Sequence, residues 1–241
     1  MTSNTVSQLT NLLLLLALAT SANARSYTTN FDLAENPLSE GGTWVNVGLD
    51  WTAVRTSGGI AYGTHMATGY DDSYAHLSGF TADQSIQGTI YKDPTFTFTQ
   101  NQEIELHLRW ADSAHVARGY EILWEARNSY GIRIMRWNGS LGSFSEVKWF
   151  QPGRAPVSGD VLKAQIVRNV ITVYLNGTLI GTHDLTGSSP LWTDGNPGIG
   201  FFSRDPTGAQ NSRFGLSSIT ASDYPIDPTV RPNPPTNVAV N

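Results

Sequence analysis

The sequence predicts an all-β protein that is long enough to form one large β-sandwich, and three observations lead to the all-β prediction. Residues 160–182 alternate apolar and polar side chains with a period of two, as in Leu162, Ala164 and Ile166. Asn176-Gly177 interrupts this run and favours the tight turn of a β-hairpin. Beyond the first 24 residues, no window shows the 3.6-residue period of an amphipathic helix.

Further strands are predicted from short alternating runs bounded by glycine, proline, asparagine and aspartate. Asp71-Asp72-Ser73-Tyr74 is interpreted as a turn, and Asn138-Gly139 as the end of a strand. Arg133 and Arg136 are expected on opposite faces of one strand, because they lie three positions apart. The predicted strands include residues 102–110, 119–126, 131–137, 146–150, 197–203 and 213–222.

The clearest amphipathic strand is the one predicted at residues 102–110. Its alternation predicts one apolar face that enters the core and one polar face. The apolar face would consist of Ile104, Leu106, Leu108 and Trp110. The polar face would consist of Glu103, Glu105, His107 and Arg109.

The net charge and the lack of cysteine exclude several kinds of partner and site. The 241 residues carry a formal net charge of −5 with a sequence pI near 5.4. A nucleic-acid binder needs a basic surface to neutralise phosphates, and an anionic membrane surface likewise attracts basic proteins, so neither partner is expected. Cysteine is absent, which excludes disulfides, thiolate metal sites and a cysteine nucleophile.

The two ends of the chain differ from its centre. Residues 12–18 form a short apolar run, and Ala22-Asn23-Ala24 follows as a small-x-small cleavage site, so residues 1–24 are predicted to be a signal peptide. The protein is therefore expected to be secreted. Residues 25–223 are predicted to form the sandwich domain. Residues 224–241 contain five prolines and are interpreted as a linker.

Three segments resemble the concanavalin A-like (laminin G-like) superfamily of lectins and glucanases: FDLAENPLSEGGTW, ITVYLNGTLIGT, and NPGIGFFSR followed by FGLSSITASD. The resemblance covers residues 26–223 approximately. It implies a jelly-roll of two antiparallel sheets, with glycan sites on the concave sheet or its rim. Separately, the last ten residues, PNPPTNVAVN, resemble the opening strand of a fibronectin type III module.

The superfamily contains hydrolases, lyases and non-catalytic modules, and the sequence leaves all three classes open. Retaining glucanases of this fold carry a Glu-x-Asp-x-(x)-Glu strand. Glu103-Ile104-Glu105 is the nearest match, although His107 fills the third acidic position and no aspartate lies between the glutamates. A polysaccharide lyase acting by β-elimination could instead use His107 and Arg109 with Tyr120 or Tyr130.

The favoured function is recognition of a polysaccharide by the concave sheet, by a protein expected to be monomeric. A non-catalytic adhesion module is a further alternative. The resemblance also implies one structural calcium ion, held where the chain ends meet by Asp32, Glu35, the Gly42 carbonyl and Asp223. The predicted contacts to the polysaccharide are Glu105, His107, Arg109, Lys163, Gln165, Trp149 and Trp192.

Overall fold

The computed structural model describes residues 24–46, 51–66, 72–98, 101–126, 130–140 and 142–224. Within them the chain forms fourteen strands and one short 3₁₀ helix, Asn211–Arg213. In chain order the strands are β1 (Ser26–Thr29), β2 (Thr52–Thr56), β3 (Ala61–Gly63), β4 (Ser73–His76), β5 (Gln84–Lys92), β6 (Gln102–Ser113), β7 (Val116–Glu125), β8 (Ile132–Ser140), β9 (Phe144–Phe150), β10 (Val161–Val167), β11 (Val170–Leu175), β12 (Thr178–Asp184), β13 (Asn196–Ser203) and β14 (Phe214–Asp223).

The strands form two sheets, which β2 joins. Sheet A has the order β12-β11-β10-β5-β14-β3-β2, and β1 also pairs with β14. Sheet B has the order β2-β4-β13-β6-β7-β8-β9. Neighbouring strands are antiparallel except β2 and β4, which are parallel. The predicted all-β sandwich is therefore confirmed, with one parallel pair that the sequence did not indicate.

The predicted hairpin in sheet A is confirmed in detail. Strands β11 and β12 are joined by Asn176 and Gly177, whose φ values are 52° and 77°. Both residues thus occupy the left-handed region that a type I′ turn requires. The preceding strand β10 buries Leu162, Ala164 and Ile166 and leaves the residues between them partly exposed, as the alternation predicts.

One hydrophobic core fills the space between the sheets. Strand β6 contributes Ile104, Leu106 and Leu108 to it from sheet B. The core side chains of sheet A include Ile86, Ile90, Leu162, Ala164, Ile166, Leu216 and Ile219. Because these side chains are fully buried, their transfer from water is the main contribution to stability in a chain without disulfides.

Several predictions about boundaries differ from the structure. Strand β8 continues through Asn138-Gly139 to Ser140. Ser73 and Tyr74, predicted to lie in a turn, belong to strand β4. Residues 1–23 of the predicted signal peptide and residues 225–241 of the predicted linker lie outside the described residues, so both interpretations stay predictions. Among the described residues, no helix is long and apolar enough to cross a membrane.

Candidate functional site

A β-bulge in strand β6 determines which side chains reach the outside of sheet B. Arg109 has a φ of 50°, and the register of β6 against β7 shifts between Leu108 and Ala111. A bulge adds one residue to a strand and so reverses the alternation that follows it. The prediction that Trp110 enters the main core with Leu108 is therefore wrong.

The bulge reverses the positions of two side chains. Trp110 joins Trp51, Tyr74 and Trp137 in a second apolar cluster, separate from the main core. Arg109 leaves the polar face and donates hydrogen bonds to the carbonyl oxygens of Ala82, Trp192 and Arg168, at 2.8, 2.9 and 2.5 Å. Its guanidinium group also lies 3.4 Å from Asp83. Arg109 is thus a structural anchor, and the prediction that it binds substrate is not supported.

The second apolar cluster lies on the face of sheet B that points away from the main core, called here the outer face. Trp51 contacts Tyr74 and Trp137, with ring centroids 4.8 and 5.4 Å apart. Trp110 lies 6.0 Å from Trp137, which also contacts the partly buried Phe144 at 5.1 Å. These aromatic contacts give the outer face a packed apolar base beside its polar groups.

Three glutamates lie next to this aromatic base. Carboxylate oxygens of Glu103, Glu105 and Glu121 are all within 4.8 Å of one another. Burial raises the pKa of Glu103 to about 8, assisted by the negative charges of Glu121 and Glu125. Burial also raises the pKa of Glu121 to about 7, against the effect of a hydrogen bond from the Trp137 indole. At neutral pH this cluster therefore retains protons that exposed glutamates lose.

Glu105 is the deepest of the three. It is fully buried, and burial raises the pKa of its carboxyl group well above the usual range, with Glu121 adding repulsion. Gly200 of β13 lies against it, and a Cβ atom at Gly200 would overlap Oε2 of Glu105. Oε1 of Glu105 has no hydrogen-bond partner among the described residues. The missing side chain at Gly200 therefore makes room for a neutral carboxylic acid.

A cavity of about 170 Å³ opens on the outer face above these residues. It combines aromatic walls with carboxyl and guanidinium groups. Arg133 forms ion pairs with Glu125 and Glu146, at 2.8 and 3.2 Å, and the guanidinium of Arg204 lies over the ring of Phe202. The lining residues are Asp72, Asn101, Glu103, Glu121, Leu123, Arg133, Met135, Trp137, Phe144, Phe202 and Arg204.

The residues predicted for β-elimination are not brought together. His107 is fully buried, stacked on Trp110 with ring centroids 4.1 Å apart, and burial lowers its pKa well below the usual range. Tyr120 is buried in the main core, on the other face of sheet B, and its hydroxyl oxygen accepts a hydrogen bond from the Trp192 amide. Tyr130 is 41% exposed. No elimination site is assigned to these residues.

The predicted carbohydrate contacts are divided between the two sheets. Glu105 and His107 lie beneath the outer face of sheet B, whereas Lys163 and Gln165 belong to β10 of sheet A. They flank the inward-facing Ala164, so they point away from the core on the opposite side of the sandwich. A single site containing all four is therefore a wrong expectation, because the sequence did not show which strands share a sheet.

The two predicted tryptophans also differ in position. Trp149 of β9 is 46% exposed and is paired across the sheet with Arg133, which lines the cavity. Trp192 is partly buried against the main core, and its indole donates a hydrogen bond of 2.7 Å to the Trp137 carbonyl. Trp149 thus lies beside the cavity, and Trp192 supports the strand that carries Trp137.

Two of the four predicted calcium ligands, Asp223 and Glu35, have hydrogen-bond partners in the structure. The Asp223 carboxylate accepts hydrogen bonds from main-chain amides of Arg25 and Thr81, and the Glu35 carboxylate accepts them from Ser39 and Glu40. With Asp32 they do not form a group close enough to share an ion; across the described residues, only Glu103, Glu105 and Glu121 do. The predicted residues do not fit a calcium site, so calcium binding stays a prediction without support here.

Sequence reasoning missed most of the cavity. Glu121 alternates with core residues of β7, a signal that could have been used, since a glutamate in so apolar a strand is unusual. Asp72, interpreted as a turn residue, is buried and accepts a hydrogen bond of 2.6 Å from the Tyr74 hydroxyl. Phe202 and Arg204 follow the glycines of β13, and no sequence pattern marked them as residues of a site.

No family model and no curated protein sequence matches this chain. Solved structures do resemble it. The carbohydrate-binding module CBM66 from Bacillus subtilis matches with a TM-score of 0.52 at 13% identity, covering 77% of this chain and 95% of that one. A family 16 endo-glucanase from Bacteroides ovatus matches with a TM-score of 0.51 at 10% identity, covering 81% and 99%.

The carbohydrate recognition domain of Emp46p, in its metal-free form, matches with a TM-score of 0.53 at 11% identity. The match covers 81% of this chain and 95% of that domain. At such low identity these likenesses are evidence of architecture. The chain therefore has the concanavalin A-like jelly-roll fold that its sequence motifs predicted.

Proposed function

We propose that this protein is a secreted carbohydrate-recognition module that binds a polysaccharide at the cavity on the outer face of sheet B. The observation that carries the proposal is the lining of the cavity, in which Trp137, Phe144 and Phe202 lie beside Glu103, Glu121 and two arginines. Sugar rings have apolar faces that pack on aromatic rings and hydroxyl groups that need fixed polar partners. The cavity offers both.

The solved structures of similar fold agree with this proposal without deciding it. By their names, CBM66 is a carbohydrate-binding module and the Emp46p domain a carbohydrate recognition domain. Trp149 extends the proposed site along the sheet, because it is exposed next to Arg133 at the cavity wall. A polysaccharide lying across the sheet would place one sugar unit in the cavity and another against Trp149.

Calorimetric titration with a panel of neutral and uronate polysaccharides tests the binding proposal. For a polysaccharide that binds, Phe144→Ala is expected to weaken affinity about tenfold, or roughly 1.4 kcal/mol. Tyr174→Ala is the matched control, because Tyr174 is a partly buried aromatic residue on sheet A. Equal losses in both variants, or no binding to any polymer, would contradict the proposal and leave adhesion to a protein partner.

A second candidate function, glycoside hydrolysis, is favoured by the glutamate cluster. Retaining glycosidases place two carboxyl groups about 5–5.5 Å apart, one as nucleophile and one as acid/base. Oxygens of Glu103 and Glu121 lie within 4.8 Å, and both pKa values are raised toward neutrality, as a general acid requires. Glu121 would take the role for which the sequence offered only Glu105.

Mass spectrometry of polysaccharides incubated with the protein tests hydrolysis. Hydrolysis gives saturated oligosaccharides that have gained one water, whereas elimination gives unsaturated ones. Glu103→Gln and Glu121→Gln are each expected to lower the rate of product formation by at least about 100-fold, since general acid–base groups contribute that much. If the polymer binds and no product forms, hydrolysis is excluded and the binding proposal stands.

A further inference from the structure

The main chain of Arg25 is fixed to the last strand of the fold. Its N–H group donates a hydrogen bond to Oδ2 of Asp223 at 2.9 Å. In return, the N–H group of Asp223 donates to the Arg25 carbonyl oxygen, also at 2.9 Å. These bonds continue the pairing of β1 with β14, in which Ser26 lies opposite Ser222. The nitrogen of Arg25 therefore has a defined position beside a carboxylate.

The Asp223 carboxylate is held so that Oδ2 faces this nitrogen. Its other oxygen, Oδ1, accepts hydrogen bonds from the Thr81 amide at 2.7 Å and the Thr81 hydroxyl at 2.9 Å. Asp223 is 8% exposed. A charge on the Arg25 nitrogen is therefore expected to interact with Asp223 more strongly than with a fully exposed carboxylate, because water reaches only the Arg25 side of the pair.

The side chain of Arg25 is exposed and also contacts the fold. Nη1 donates a hydrogen bond of 2.6 Å to the Ser78 carbonyl, and the guanidinium carbon lies 5.7 Å from the centre of the Phe80 ring. The guanidinium group also lies against Gly79, in the space that a Cβ atom there would occupy. The loop at residues 78–80 thus binds the residue that directly follows the predicted cleavage site.

We propose that the chain is cut between Ala24 and Arg25 and that Asp223 binds the α-ammonium group which the cut creates. The cleavage is a hydrolysis, catalysed by a signal peptidase. Water adds across the peptide bond, the C–N bond breaks, Ala24 keeps the new carboxylate, and the nitrogen of Arg25 takes up protons to become an ammonium group.

Cleavage changes the interaction that Asp223 already makes. Before it, a neutral amide with one N–H group faces the carboxylate; afterwards, a cation with three N–H donors does. The bond from the amide is already assisted by the charge of the carboxylate. The ammonium group adds the opposite charge on the donor, and the attraction between the two charges strengthens the contact. We infer that cleavage does more than remove the signal peptide, because it also strengthens the contact between the first strand, β1, and the last strand, β14.

The first part of the test is the N-terminus of the protein after export. The full chain is produced with its own leader in a secreting host, and its intact mass is measured. The expected mass corresponds to a chain that starts at Arg25. A chain that still carries residues 1–24, or that starts at another residue, overturns the proposal.

The second part measures the ion pair. The α-amino group of the exported protein is acetylated near neutral pH, where lysine side chains react less because their pKa is higher. Acetylation keeps one N–H donor and removes the charge. It is expected to lower the melting temperature of the exported protein by about 3 °C, a shift of the size that one such interaction gives in a domain of this length.

Asp223→Asn separates the ion pair from other effects of acetylation. Asparagine lacks the charge and keeps one oxygen acceptor, which can face either the Thr81 donors or the Arg25 nitrogen. Acetylation is therefore expected to leave the melting temperature of this variant unchanged. An equal loss in the wild-type and variant proteins would show that the charge on Arg25 has no partner in Asp223, and would overturn the proposal.

Discussion

At the scale of single residues, the clustered glutamates are positioned by the residues opposite them in neighbouring strands. Glu105 is opposite Gly200, and Glu121 is opposite His107 and Met135. A glycine on one side and large side chains on the other bury the carboxyl groups, and burial accounts for most of the rise in their pKa values. The same arrangement that prepares these groups for a ligand therefore destabilises their ionised form.

Stability is accordingly expected to depend on the ionisation of Glu121. The pKa of Glu121 is about 7 in the folded protein, whereas an unfolded glutamate titrates near pH 4.3. Between these values the folded state holds a proton that the unfolded state releases, so this group's contribution to stability falls as pH rises. In urea unfolding from pH 5 to pH 8, Glu121→Gln should lose less stability than the wild type, by about 1–3 kcal/mol.

The comparison with wild type is needed because other groups titrate in the same range. Burial lowers the pKa of His107, and this has the opposite effect, since acidification then favours the unfolded state. Glutamine can still accept the hydrogen bond from the Trp137 indole that Glu121 accepts, so the substitution keeps the local structure. Glu146→Gln on the exposed side of β9 is the control, and parallel pH profiles for Glu121→Gln and the wild type would refute the expectation.

At the scale of the strand, the bulge in β6 decides which side chains form the site. The bulge backbone is closely packed, since a Cβ atom at Gly195 would overlap the Arg109 carbonyl group, and Gly119 also lies against it. Gly195 moreover has a φ of 126°, which a residue with a side chain rarely adopts. Both the close approach and the backbone conformation require glycine there.

Gly195→Ala is therefore expected to destabilise the protein by about 2–4 kcal/mol, measured as the free energy of unfolding in urea. Gly187→Ala is the matched control. Gly187 also has a positive φ, of 84°, but it has open space where a Cβ atom would lie. It should cost only about 1 kcal/mol. Similar losses for the two variants would mean that contact with the bulge is unimportant.

The bulge also explains where sequence reasoning succeeded and where it failed. Alternation correctly placed Ile104, Leu106 and Leu108 in the core, because the strand is regular up to that point. It failed at Arg109 and Trp110, because one additional residue reverses the faces, and no turn residue within β6 marks the change. Local patterns predict a strand well, and its irregularities depend on residues distant in sequence, such as Gly195.

At the scale of the whole molecule, the jelly roll brings together residues that no local pattern connects. Glu103, Glu121 and Arg204 come from β6, β7 and the segment after β13, and they meet because those strands are neighbours in sheet B. Lys163 and Gln165 are polar residues of an alternating strand, as Glu103 is, yet they lie on sheet A. Motifs were sufficient to predict the fold, whereas the site required the order of the strands.

The aromatic base of the outer face gives the protein a built-in optical probe. Trp51, Trp110 and Trp137 lie with ring centroids 5.4 to 6.0 Å apart along their contacts, close enough for their excited states to couple. Trp137 belongs to this group and also lines the cavity. Occupation of the cavity should therefore alter the near-ultraviolet circular dichroism and the tryptophan emission of the unlabelled protein, so that ligands can be screened without any chemical reporter.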